Sequence, residues 1–126
     1  MIERLIAPGT FHQAPYCHAA RAGGFLFVTG QVAADPDTGR YVVGDIETET
    51  RRVMDNLVIV LEHAGYALSD VVSARAFLTH FDDEYETFNR IYLEYMGEHL
   101  PTRTTIGVTA LAAGARVEVD LVAYRD

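Results

Sequence analysis

Two residues near the end of this 126-residue chain have the types and spacing to do chemistry together, Arg103 and Glu118. Arg103 stands in Pro101-Thr102-Arg103-Thr104-Thr105, and Glu118 in Val117-Glu118-Val119-Asp120. The planar fork of an arginine can grip a carboxylate with two parallel charged hydrogen bonds, a task the point charge of lysine does not perform. A glutamate beside a bound water can hold it and take its proton. Together they could seize a small anion and add water to it. An arginine and a glutamate on strands also form ordinary surface or interface ion pairs, and these residues alone leave that reading open. Tyr16 has a similar choice between a core aromatic with a satisfied hydroxyl and a hydrogen-bond donor in a pocket.

Such side chains need rigid supports, and strands supply them. Pro101 can open a strand but not occupy its interior. Val117, Val119 and Leu121 alternate with Glu118, Asp120 and Val122, the period-2 pattern of a sheet with one apolar face. In the preceding strand Arg103, Thr105 and Gly107 share one face, and Thr104, Ile106 and Val108 the other. The small-residue loop Ala110-Leu111-Ala112-Ala113-Gly114 joins the two, so Arg103 and Glu118 are expected on neighbouring strands.

Upstream, Ala7-Pro8-Gly9-Thr10 and Ala14-Pro15 are turn chemistry around a short early strand at best. Tyr16-Cys17-His18-Ala19-Ala20 reads as a strand closed by a turn at Ala22-Gly23-Gly24, and Phe25-Leu26-Phe27-Val28-Thr29 as a well-buried one ending at Gly30-Gln31. Gly30 there marks a bulge or strand end, or a place where a neighbour or ligand comes close. Ile46, Thr50, Val53, Met54, Leu57, Val60, Leu61 and Ala64 make one helical stripe, with Asp45 as N-cap and Gly65 as stop. A strand over 71–78 follows. Asp83 with Glu86 forms an acidic capping box for a second helix burying Phe88, Ile91, Tyr92, Tyr95 and Met96. The order predicts one α+β domain over 1–126, with two helices on one face of a five- or six-stranded, mainly antiparallel mixed sheet. Val122, Tyr124 and Val28 or Leu26 would leave apolar patches on the other face, so an oligomer is expected.

Composition narrows the function classes. Net charge is -8, and no basic cluster exists beyond Arg51-Arg52, which disfavours generic nucleic-acid binding. No segment approaches the ~20 apolar residues of a membrane span, and Glu3 and Arg4 at the start do not look like a signal peptide. Cys17 is the single cysteine, so no internal disulfide forms and a cytoplasmic location is expected; it reads as a small buried residue. His12, His18, His63, His80 and His99 show no metal-ligand spacing, and no P-loop, dinucleotide fingerprint or nucleophile elbow is present. Neither metal nor cofactor is expected.

Four separated stretches resemble the reactive intermediate deaminase family, RidA or YjgF, also described as endoribonuclease L-PSP-like. They are Ala7-Pro8 with Pro15-Tyr16; Phe27-Val28-Thr29-Gly30-Gln31 with the Asp35-Pro36-Asp37-Thr38-Gly39 turn; Asn56-Leu57 ahead of Glu62-x-Ala64-Gly65; and Pro101-x-Arg103 through Val117-Glu118-Val119. The resemblance implies a RidA/YjgF (chorismate-mutase-like) fold and a homotrimer whose sheets form a central barrel, with ligand clefts between subunits. It implies cofactor-free hydrolysis of 2-aminoacrylate-type enamines and imines to 2-keto acids and ammonia. By position, Arg103 matches the arginine that holds the substrate carboxylate and Glu118 the glutamate that orients water. Tyr16, Thr29, Gly30 and Asn89 match residues lining the cleft, and Thr105 stands where many members carry a cysteine. Gly107, Ala112 and the segment before Tyr16 depart from the family pattern, which bears on substrate range. Family members assigned to RNA cleavage fit poorly with an acidic chain. A non-catalytic module that binds small keto acids or a partner protein is the alternative; retention of Glu118 beside Arg103 favours the enzyme.

Overall fold

The computed structural model describes residues 1–9, 15–42 and 44–126. The expected turn at Thr10, His12 and the departure from the family pattern before Pro15 lie outside the described residues. Strands β1 (Ile2–Leu5), β2 (Ala19–Ala22) and β3 (Phe25–Gln31) lead to helix α1 (Ile46–Ala64), then β4 (Val71–Leu78), α2 (Phe81–Met96), β5 (Thr102–Gly107) and β6 (Val117–Tyr124). Six strands form one open mixed sheet in the order β1-β2-β3-β6-β4-β5, antiparallel except for the parallel pair β4 and β5.

Helix α1 follows its sequence signals closely. Asp45 Oδ1 accepts from the Thr48 N–H at 2.8 Å, and the helix ends at Gly65 in the left-handed region. Guanidinium groups of Arg21 and Arg125 donate to the Ala64 and Gly65 carbonyls, placing cations where the helix dipole is negative. Both helices cover the same sheet face. Val53, Met54, Leu57, Val60 and Leu61 of α1 and Phe88, Tyr92 and Met96 of α2 pack in one core with Leu26, Val28, Ala74, Ala76, Leu78, Val117, Val119, Leu121 and Ala123. Each fully buried Leu, Val or Phe contributes roughly 1.5–3 kcal/mol.

Several local expectations are corrected. β5 and β6 are not neighbours: β4 lies between them, because β5 returns parallel to β4 through the α2 crossover, as parallel strands require. In β3 only Leu26 and Val28 are buried; Phe25 and Phe27 point to the uncovered face. The apolar strip there is therefore Phe25 and Phe27 with Val122 and Tyr124, not Leu26 or Val28. Helix α2 begins at Phe81, two residues before Asp83, and its N-cap His80 makes no side-chain cap. The Asp83 and Glu86 box is absent for that reason, and Tyr95 is half-buried, with its hydroxyl on Asp55 at 2.8 Å. Tyr16 and Cys17 precede β2 rather than lying in it. No helix is long and apolar enough to cross a membrane among the described residues.

Candidate functional site

The register of β5 decides where Arg103 goes. Arg103 pairs with Ala74 and Thr105 with Ala76, and both alanines are buried beneath the helices. Arg103 and Thr105 therefore face α2. That helix turns Tyr85, Phe88, Asn89 and Tyr92 toward them, positions spaced to share one face. The guanidinium carbon lies 4.8 Å from the Tyr92 ring centroid, 5.4 Å from Phe88 and 5.9 Å from Tyr85. Nη2 donates to Asn89 Oδ1 at 2.6 Å and reaches the Tyr85 hydroxyl at 3.5 Å. Aromatic faces and a neutral amide hold the cation without neutralising it. Arg103 belongs to no ion pair among the described residues. The hydroxyls of Tyr92 and Thr105 are buried on the same side of the sheet without hydrogen-bond partners. Burial pushes the Tyr92 hydroxyl above the usual phenol range, with Arg103 opposing. Phe81 stacks on Tyr85 at 4.7 Å, and a Cβ at Gly107 would stand 3.2 Å from Phe81 Cβ. The glycine lets α2 start against the end of β5.

Glu118 is built differently. It lies opposite Phe77 on β4, on the sheet face without helices. The β3–β6 register breaks between Val28 and Gln31, and Gly30 sits in that break. A Cβ on Gly30 would fall 2.2 Å from Glu118 Oε2 and 2.9 Å from its carboxyl carbon. The carboxylate thus occupies the space that any larger residue at 30 would fill. Burial pushes the Glu118 carboxyl up from its ordinary value, the charge of Asp120 adds to that, and Arg75 opposes it. Burial pushes the Tyr41 hydroxyl up as well, with Tyr16 and Glu118 contributing.

Both ends of this arrangement are anchored. Asn56 on α1 donates to the Ala34 carbonyl at 2.9 Å and the Val32 carbonyl at 3.3 Å, while its Oδ1 accepts from Arg52. That ties the chain leaving β3 to the helix. At the start of β6, the Arg116 N–H donates to buried Glu49 at 3.0 Å, and its guanidinium donates to Glu84 at 2.8 Å. A cleft of about 760 Å³ opens on the same sheet face, with Tyr16, Cys17, Thr29, Gly30, Arg75 and Asp120 among its walls. Cys17 is half-buried there rather than in the core.

The seven expected site residues fall into two groups. Arg103, Asn89 and Thr105 gather between β5 and α2; Glu118, Gly30, Thr29 and Tyr16 gather on the uncovered face. Within one chain, the sheet separates the cation from the carboxylate, so one copy does not clasp a small molecule with both. Sequence reasoning missed Tyr85 and the second role of Phe88 and Tyr92, although the 85/88/89/92 spacing carried the signal. It also missed the Arg75–Asp120 pair, which shows only once β4 and β6 are known to be neighbours. Among the described residues no three His, Cys, Asp or Glu side chains converge to hold a metal ion.

A sequence model of the family described as Endoribonuclease L-PSP matches residues 9–125. A RutC family protein of Pyrococcus horikoshii is 40% identical over 112 residues, spanning 89% of this chain and 88% of that protein. A human protein named 2-iminobutanoate/2-iminopropanoate deaminase is 32% identical over 129 residues, spanning 99% of this chain and 92% of its own length. The crystal structure of YyfA from Yersinia pestis, described as a protein of unknown function of the conserved Rid protein family, superposes with a TM-score of 0.94. It is 32% identical and covers 99% of this chain and 100% of its own.

Proposed function

The chain belongs to the RidA/YjgF family, whose relatives include proteins named imine deaminases, and from that premise we propose that it hydrolyses reactive 2-aminoacrylate-type enamines and imines to 2-keto acids and ammonia. The observation that carries this reading is an arginine held among neutral groups on one sheet face and, on the other, a half-buried glutamate whose carboxyl burial pushes up. A second copy of the chain would bring its own Glu118 to the Arg103 of the first. A homotrimer with three such clefts is the assembly proposed, and the exposed Phe25, Phe27 and Tyr124 supply apolar area for it.

In this mechanism Arg103 binds the carboxylate of the imine tautomer, protonated from water to the iminium, through its fork. Glu118 of the neighbouring copy holds a water and stabilises the positive C=N group. It takes a proton as the water oxygen bonds to the imine carbon. Returning that proton to nitrogen turns the amino group into a leaving group; the C–N bond breaks as the carbinol hydroxyl gives its proton back to the Glu118 carboxylate, and keto acid and ammonia are released, the ammonia carrying that proton away as ammonium. The imine is already electrophilic, so positioning and one base suffice, without a cofactor. A carboxyl raised above its ordinary value suits both directions of transfer. Tyr16, Thr29, Gly30, Asn89 and Thr105 would line or orient this cleft, with the Thr105 hydroxyl as an additional donor to the ligand. RNA cleavage finds little support in a chain of net charge -8.

The test generates 2-aminoacrylate and a bulkier imine in place with an amino-acid oxidase and follows their loss with semicarbazide trapping. Acceleration by the wild type that is lost in both Arg103→Ala and Glu118→Gln supports the reading. No acceleration by a folded protein that binds pyruvate would instead indicate a keto-acid binding module.

A further inference from the structure

The uncovered sheet face holds a second charged pair beside Glu118. Arg75 on β4 lies directly opposite Asp120 on β6, and Phe77 lies opposite Glu118. Arg75 is therefore the diagonal neighbour of Glu118, a separation of roughly 7–8 Å that a long side chain can span. One cation has two carboxylates in range, and Asp120 takes it. Arg75 Nε donates to both Asp120 oxygens at 3.1 Å, and Nη2 donates to Oδ2 at 2.7 Å. The guanidinium also lies 5.7 Å from the Phe77 ring centroid. Charged and titratable groups facing Glu118 are Asp120 from its own strand, Arg75 from β4, and Tyr41 from the segment that follows β3.

We propose that Asp120 is a positioning residue for the deaminase reaction: its two-oxygen grip keeps the Arg75 guanidinium off Glu118, leaving that carboxylate unpaired and able to take a proton from water. This inference rests on the proposed function. A carboxylate paired with a guanidinium has its lone pairs occupied and its charge neutralised, and is the weaker base for both reasons. The opposite loss is also harmful. Without Arg75, the Asp120 charge stands two residues along the same strand face and holds the proton on Glu118. Paired, the two act as one neutral unit that supports Glu118 without titrating it.

The variants Asp120→Asn, Arg75→Met and the double variant separate these effects by sign. Asp120→Asn releases Arg75 toward Glu118. The acid limb of the kcat profile moves down by about one pH unit and kcat falls about tenfold, while KM changes little because Arg103 grips the carboxylate. Arg75→Met moves the same limb up. The double variant returns it close to the wild-type position. Carboxyl carbon NMR of the uniformly labelled protein, with the Glu118 signal identified by its loss in Glu118→Gln, reads the same titration without turnover. If the wild type turns over no imine, the proposed function fails, and the NMR titration still decides the role of Asp120. A Glu118 titration unmoved by Asp120→Asn, or moved in the same direction by both single variants, would overturn the proposal.

Discussion

Arg103 and Glu118 sit on the two sides of one sheet and are held by opposite means. Arg103 is a cation among neutral groups: three aromatic rings, an amide and the Tyr85 hydroxyl surround it, and no carboxylate reaches it among the described residues. Glu118 is an anion in a charged neighbourhood, with Asp120 and Arg75 pulling its protonation in opposite directions and burial outweighing both. The first environment leaves charge uncompensated, so a ligand carboxylate gains the full benefit of meeting it. The second favours the protonated form more than water would. In the proposed reaction one half-site binds and the other transfers the proton, so each is incomplete alone.

Breaking the proton-transfer half has the largest expected effect. Glu118→Gln lowers kcat by about 10²-fold or more, with KM nearly unchanged, in steady-state imine hydrolysis. Breaking the binding half comes next: Arg103→Ala loses roughly 1.5–3 kcal/mol of ligand interaction, one to two decades in kcat/KM, chiefly through KM. Arg103→Lys should recover little of it, since the fork is lost. Gly30→Ala displaces the carboxylate without touching the arginine and should cost about tenfold in kcat while leaving pyruvate affinity intact. The smallest effect is on stability. Because the folded state holds the Glu118 proton more tightly than the unfolded chain, this group's contribution is greatest below the unfolded value and is lost as pH rises through the folded value. Glu118→Gln therefore raises Tm by a few °C at most at about pH 7, with no gain at about pH 3, in thermal melts. A Tm lowered at neutral pH would show that Glu118 is held for structure.

The contrast was only partly legible in the sequence. Local signals were strong where local physics decides: Asp45 and Gly65 bound α1, and the alternation through Val117, Val119 and Leu121 gave the core face of β6. The β3 run carried no such signal, because Phe25, Leu26, Phe27 and Val28 are all apolar and only the pairing with β2 and β6 selects Leu26 and Val28 for the core. The same gap misplaced Arg103 relative to Glu118. A short connection suggested adjacent strands, whereas insertion of β4 between them is a long-range choice that no local pattern records. Residue types at the candidate site were readable, but the sheet side each occupies was not.

Mixing two disabled variants tests the account most directly. Arg103→Ala retains Glu118, and Glu118→Gln retains Arg103, so each lacks a different half of every site. If the working site pairs Arg103 of one copy with Glu118 of another, subunit exchange between the two inactive proteins creates interfaces carrying both residues. Imine hydrolysis should then rise well above either variant alone, and a copy carrying both substitutions should not rescue either one. Mixed assemblies that form, as native mass spectrometry would verify, yet stay inactive would contradict a site divided between copies.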